Sequence, residues 1–210
     1  MLEYKKLALG IIIITLLSAI YFYPQLPDQM ASHWNASGEV DGYTGKAMGT
    51  FLLPVMGLLI FLLMAFLPKI DPLKLNYKKF QREYDSFILV MAIFLTYIYS
   101  LTIAHNLGYS FNMSQAILPI MAILFYYISI LMKKSKRNWF VGIRTPWTIS
   151  SDNVWDKTHK LGAKLFKVFA LSFILPIFFP GSMMYIVGIL ILGIIGLFAY
   201  SYLEYKKETK

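Results

Sequence analysis

The residues best suited to chemistry fall in two regions of the chain. The first runs from Pro24 to Gly42 and gathers His33, Asn35, Glu39 and Asp41 within a short reach, while His105 opens a later connection. Neutral imidazole with carboxylates is a donor set that suits zinc, so His33, Asp41 and His105 are the candidate metal ligands, and an enzyme using them would be a metal-assisted one. The spacing argues for less: a single His with loosely spaced acids lacks the i, i+4 pairing of a helical metal motif. The competing reading is a hydrogen-bonded cap, held extended at Pro24 and Pro27 and turned at Gly38 and Gly42. The expectation is an ordered loop with no cofactor and no catalytic residue, a bound metal ion being the alternative.

The second region is the run from Arg137 to Thr148, which reads Arg137, Asn138, Trp139, Phe140, Val141, Gly142, Ile143, Arg144, Thr145, Pro146, Trp147, Thr148, followed by Trp155 and His159. A guanidinium such as that of Arg144 can grip a carboxylate or phosphate through two parallel bonds. Pro146 keeps Thr145 extended, Ser150 or Ser151 can cap a helix, and Asp152 suits its first turn. That helix carries Trp155 and His159 four apart. Trp139, Trp147 and Trp155 fit a headgroup belt. Two readings stand here: a clamp fastening two helices, or a recognition surface for a partner. His159 reads as a packed, hydrogen-bonded histidine rather than a catalytic one.

The elements that must position these residues are set by composition. The 210 residues are 58% hydrophobic, 17% aromatic and 15% charged, with mean hydropathy +0.58, too oily for a water-soluble domain of this length. Apolar stretches lie at 7–23, 47–67, 87–104, 116–132, 161–179 and 183–203. At 1.5 Å rise per residue, helices of about 17 to 21 residues cross a hydrocarbon layer of roughly 30 Å. The alternation of membrane strands is missing. The first stretch continues into Tyr21, Phe22, Tyr23 and Pro24 rather than small residues, so it reads as a retained helix and not a cleaved signal. Pro54, Pro119 and Pro176 are expected to kink the second, fourth and fifth helices, and Pro180, Gly181 and Ser182 to form a tight hairpin. The fold class is therefore all-α, a polytopic bundle of about six transmembrane helices. An N-terminal two-helix region, 1–85, and a C-terminal four-helix region, 86–210, form one integrated bundle.

Charge orients it. Lys5 and Lys6, then Lys69, Lys74, Lys78, Lys79 and Arg82, then Lys133 through Lys160, then Lys206, Lys207 and Lys210 occupy alternate segments. The intervening connections hold one Lys against Asp28, Glu39 and Asp41, or no charge beside His105. Retained loops are basic, so both termini are expected in the cytoplasm of a multi-pass cell-membrane protein. The same rule accounts for the net charge of +9 without direct nucleic-acid binding. The connection after the second stretch is expected to start a helix at Asp71 and Pro72 and to lay Leu73, Tyr77, Phe80 and Tyr84 on lipid headgroups. No ionisable side chain sits mid-stretch, which counts against ion-coupled transport and leaves a passive transporter as a weaker alternative. Lys164 and Lys167, near a stretch end, are expected to snorkel to the interface. The absence of cysteine excludes disulfides and thiolate sites.

Arg137 and Asn138, the run from Gly142 to Thr148, then Trp155, Thr158, His159 and Gly162 resemble the signature of the SdpI family of bacterial membrane immunity proteins. Pro24, Pro27, His33, Trp34, Asn35, Gly38 and Asp41, with Asp71, Pro72, Asn76 and Tyr77, resemble the domain of unknown function in the N-terminal half of many members. The resemblance implies a membrane protein that protects against a secreted toxic peptide and captures a transcriptional repressor at the membrane. It also implies that Arg144, Thr145, Pro146, Trp147 and Thr148 belong to a cytoplasmic motif, and His33 and Asp41 to an external one.

Overall fold

The computed structural model describes residues 2–179 and 181–209. In chain order the elements are α1 (Leu2–Phe22), a 3-10 turn (Tyr23–Gln25), β1 (Gln29–Trp34), β2 (Val40–Gly45), α2 (Lys46–Ile70), α3 (Lys74–Tyr77), α4 (Gln81–Asn106), α5 (Met113–Lys134), α6 (Pro146–Ser150), α7 (Asp152–Ser172), α8 (Leu175–Phe178) and α9 (Met183–Glu208). Among the described residues six helices, α1, α2, α4, α5, α7 and α9, are long and apolar enough to cross a membrane. A helix satisfies its backbone hydrogen bonds within itself, the condition hydrocarbon imposes. The side chains agree: on α9, Met184 is 77% and Leu192 70% exposed, surface that water would penalise and lipid does not. The chain is an all-α, multi-pass membrane protein.

Two compact units divide the chain, one from residues 2–65 and 88–121, the other from 66–87 and 122–209. This partition runs across α2, α4 and α5. In the first unit Ala19, Leu26, Met30, Tyr99 and Ile103 form a buried cluster, and Thr15 and Thr96 share a hydrogen bond of 2.9 Å between α1 and α4. β1 and β2 pair antiparallel with irregular register from Ala31 to Trp34. The only strands among the described residues thus belong to the first loop, which sequence had marked as ordered without a strand.

In the second unit three expectations are corrected. The segment after Asp71 is not one helix: α3 ends at Tyr77, and α4 starts at Gln81. Asp71 Oδ1 accepts the Leu73 N–H at 2.7 Å, shaping the first turn. Tyr77, Phe80 and Tyr84 are buried within the protein rather than spread on lipid; their rings pack edge-on or stacked on one another. Burial pushes the Tyr77 phenol well above its usual range. α7 ends at Ser172, and Pro176 opens the separate short α8, because a ring without an N–H cannot continue the ladder. Pro119 does lie inside α5, where the nearby Ala116 carbonyl accepts the Tyr97 hydroxyl at 2.9 Å. Of the expected hairpin after α8, Pro180 lies outside the described residues, and Gly181 has a φ of +95°.

Candidate functional sites in the first loop and the fourth connection

The first loop owes its shape to Asn35. Its Oδ1 accepts the N–H groups of Ser37 and Glu39 at 2.9 and 3.1 Å, its N–H donates to the Glu39 carbonyl, and Gly38 takes a φ of +84°, the left-handed turn conformation glycine adopts freely. The hairpin is strapped to helix ends by side-chain amides. Asn106 bonds both the N–H and the carbonyl of Ala31, at 2.8 and 3.0 Å. Asn112 donates to the Ser37 carbonyl and Ser114 to the Asn35 carbonyl. Met30 is wholly buried beneath it.

On this hairpin His33 Nδ1 and Asp41 Oδ1 are 2.5 Å apart, with side chains 72% and 42% exposed. The carboxylate accepts from Nδ1–H, which leaves Nε2 as the second ring nitrogen available to an external group. His105 is not brought to this pair: its ring packs edge-on between Trp34 and Phe111. Among the described residues no three His, Asp or Glu side chains gather into a set that could hold a metal ion.

The fourth connection is built around buried amides and hydroxyls. Asn138 is fully enclosed. Its Nδ2 donates to the carbonyls of Lys136 and Val141 at 2.8 and 2.9 Å. Its Oδ1 accepts from the N–H groups of Phe140 and Val141 at 3.0 and 2.7 Å and from the Tyr77 hydroxyl at 3.2 Å. Asn76 and Asp71 complete the seam, Asn76 donating to the Arg137 carbonyl and Asp71 accepting the Trp139 N–H. Gly142 has a φ of +115°, and a Cβ there would meet the His159 ring. That close approach lets Ile143 N–H donate to His159 Nε2 at 3.0 Å while Nδ1–H donates to the Trp155 carbonyl at 2.9 Å. Both ring nitrogens are used, so His159 is a neutral structural histidine, stacked on Trp155 with centroids 3.9 Å apart.

Thr145 and Thr148 form a reciprocal cap on α6, with Pro146 in its first turn, the arrangement that satisfies orphan N–H groups at a helix start. Both threonines are buried, and Thr145 shares a 3.0 Å hydrogen bond with Ser201 of α9. Ser151 caps α7 through the Val154 N–H. Trp155 leaves the expected headgroup belt: it is wholly buried, its Nε1–H donating to the Ser135 carbonyl at 3.2 Å. Trp147 packs against Tyr202.

The charges split in the same way. Arg137 pairs with Asp152 at 2.8 Å and donates to the Ile149 carbonyl. Lys136 holds Asp156, and Glu204 of α9 joins Lys157 and Lys207 at 2.8 and 2.7 Å. Arg144 differs: it is exposed and spends one Nη1–H on the Trp139 carbonyl. Of the sequence-selected residues, Asn138, Thr145, Thr148, Trp155 and His159 are thus internal. Arg144 and Pro146 stand at the surface, beside the exposed Trp139. Sequence reasoning missed Ser201 and Glu204; a serine and an acid near the end of an oily helix were the available signal.

Residues 134–201 match the family model described as the SdpI/YfhL protein family, and the immunity protein SdpI of Bacillus subtilis (strain 168) is 27% identical over 209 residues, covering 97% of each chain. The chain is similar to the SdpI family along its C-terminal third and to one immunity protein along nearly its whole length. The SdpI match takes in α6, α7 and Ser201. Residues 10–58 match a second model, a domain of unknown function, which covers the β-hairpin and its His33 and Asp41 pair. No solved structure matches the chain.

Proposed function

We propose that this protein is a member of the SdpI family and a membrane immunity protein that lets its cell survive a secreted, membrane-active peptide, acting by binding rather than by catalysis. The observation that carries the reading is the 27% identity to a protein named for immunity, sustained over 97% of both chains. Similarity of that extent spans hairpin, helices and clamp together.

The mechanism follows from sidedness. Basic segments stay inside, so both termini and the Arg144 rim face the cytoplasm, and the hairpin with His33 and Asp41 faces outward, where a secreted peptide arrives. A peptide that binds one conformation of the helices better than another shifts the population between them. Inside, Trp139 and Arg144 offer an aromatic and a guanidinium at the surface, a pairing suited to a cytoplasmic protein such as a repressor retained at the membrane.

The test is expression in cells sensitive to such a peptide. Survival should rise with the amount of protein in the membrane. Unchanged killing at confirmed membrane abundance overturns the reading.

A further inference from the structure

A groove of about 690 Å³ lies between α5 and α7. Lys133 and Lys134 enter it from the last turn of α5, and Lys160, Lys164 and Lys167 from α7. The three on α7 follow at i, i+4 and i+7 and share one helix face. They extend over roughly 10 Å of helix, at 1.5 Å per residue. Sequence suggested independent snorkelling for Lys164 and Lys167; the fold brings three further lysines to the same place.

Among the described residues none of these five lysines has a carboxylate partner. The nearby acids are engaged elsewhere, Asp152 by Arg137, Asp156 by Lys136 and Glu204 by Lys157 and Lys207. Five like charges around one groove repel one another unless an anion joins them. Between them the lining is largely apolar, with Ile130 and Ala163, and Tyr126 and Ser129 add hydroxyls. A free phosphate would find no use for that floor, whereas an acyl chain would. Basic pockets between transmembrane helices on the cytoplasmic side suit anionic headgroups for this reason.

We propose that this groove binds one anionic phospholipid, its phosphodiester held among the lysines and its acyl chains laid along Ile130 and Ala163. The site is separate from the hairpin and the Arg144 rim, and it stands or falls independently of the immunity reading.

The experiment uses full-length protein in phosphatidylcholine nanodiscs carrying a trace of photoactivatable phosphatidylglycerol. Label should concentrate on peptides containing 126–134 and 160–167, be displaced by unlabelled phosphatidylglycerol, and resist added phosphatidylcholine or millimolar inorganic phosphate. The K164Q/K167Q variant should bind phosphatidylglycerol roughly 30-fold more weakly, each lysine beside an anionic headgroup contributing about fivefold, while K78Q/K79Q binds as before. Label spread evenly over exposed faces such as α9, equal displacement by inorganic phosphate, or undiminished binding by K164Q/K167Q would each overturn the proposal. If that variant fails to accumulate, the labelling map of the unaltered protein decides alone.

Discussion

Replacing Asn138 by Ala separates a residue that builds the fourth connection from one that meets a partner. The side chain makes five hydrogen bonds while wholly buried. At about 1 kcal/mol net for each, and with part of the turn regaining water once the amide is gone, the loss is about 3 to 5 kcal/mol. For a chain of this length that corresponds to a fall of about 10 °C in the midpoint of heat-induced loss of monodisperse, detergent-solubilised protein. Membrane abundance should fall in parallel. Asn138→Asp should also destabilise, because a carboxylate keeps the accepted bonds but turns an oxygen toward the Lys136 and Val141 carbonyls. An Asn138→Ala protein that melts and accumulates normally yet loses protection would refute the reasoning, since it would make the amide a contact for something outside the chain.

Arg144→Ala removes an exposed side chain with one intramolecular bond, so melting should move by less than about 1 kcal/mol equivalent while any cytoplasmic response is lost; a drop in membrane abundance contradicts this. Gly142→Ala combines a positive φ with a methyl driven into the His159 ring, and should cost about 1 to 3 kcal/mol in the same melting assay. Asp41→Asn weakens an exposed pair, so stability should change by less than about 1 kcal/mol, and a selective effect on survival against the peptide would mark the hairpin as the outward contact.

The spans were legible because hydrocarbon demands long uncharged helices, and the cap at Ser151 because Asp152 suits the first turn of the helix after it; Thr145 was legible only as extended before Pro146, and its cap on the short α6 was not. The hairpin escaped notice for a physical reason. The register of β1 is irregular between Ala31 and Trp34, so its buried residues, Met30 and Ala31, are adjacent rather than alternating. The helical spacing of Tyr77, Phe80 and Tyr84 was visible, but spacing does not say whether an aromatic face meets lipid or protein. The Asn138 amide decides it for Tyr77 by accepting its hydroxyl. Trp155 misled similarly: an indole suits a headgroup belt, and its partner, the Ser135 carbonyl, lies 20 residues away. The lysine groove could not be read from sequence, because Lys133 and Lys167 are neighbours only once α5 and α7 lie side by side.

The assignment of every loop to its task rests on sidedness, and the chain contains no cysteine, so single cysteines report it without background. Ser37→Cys on the hairpin and Lys78→Cys after α3, both at exposed positions, would be treated in intact cells with a membrane-impermeant maleimide. The account predicts that Ser37→Cys is labelled at once and Lys78→Cys only after the membrane is opened. Labelling of Lys78→Cys in intact cells, with Ser37→Cys protected, would contradict it.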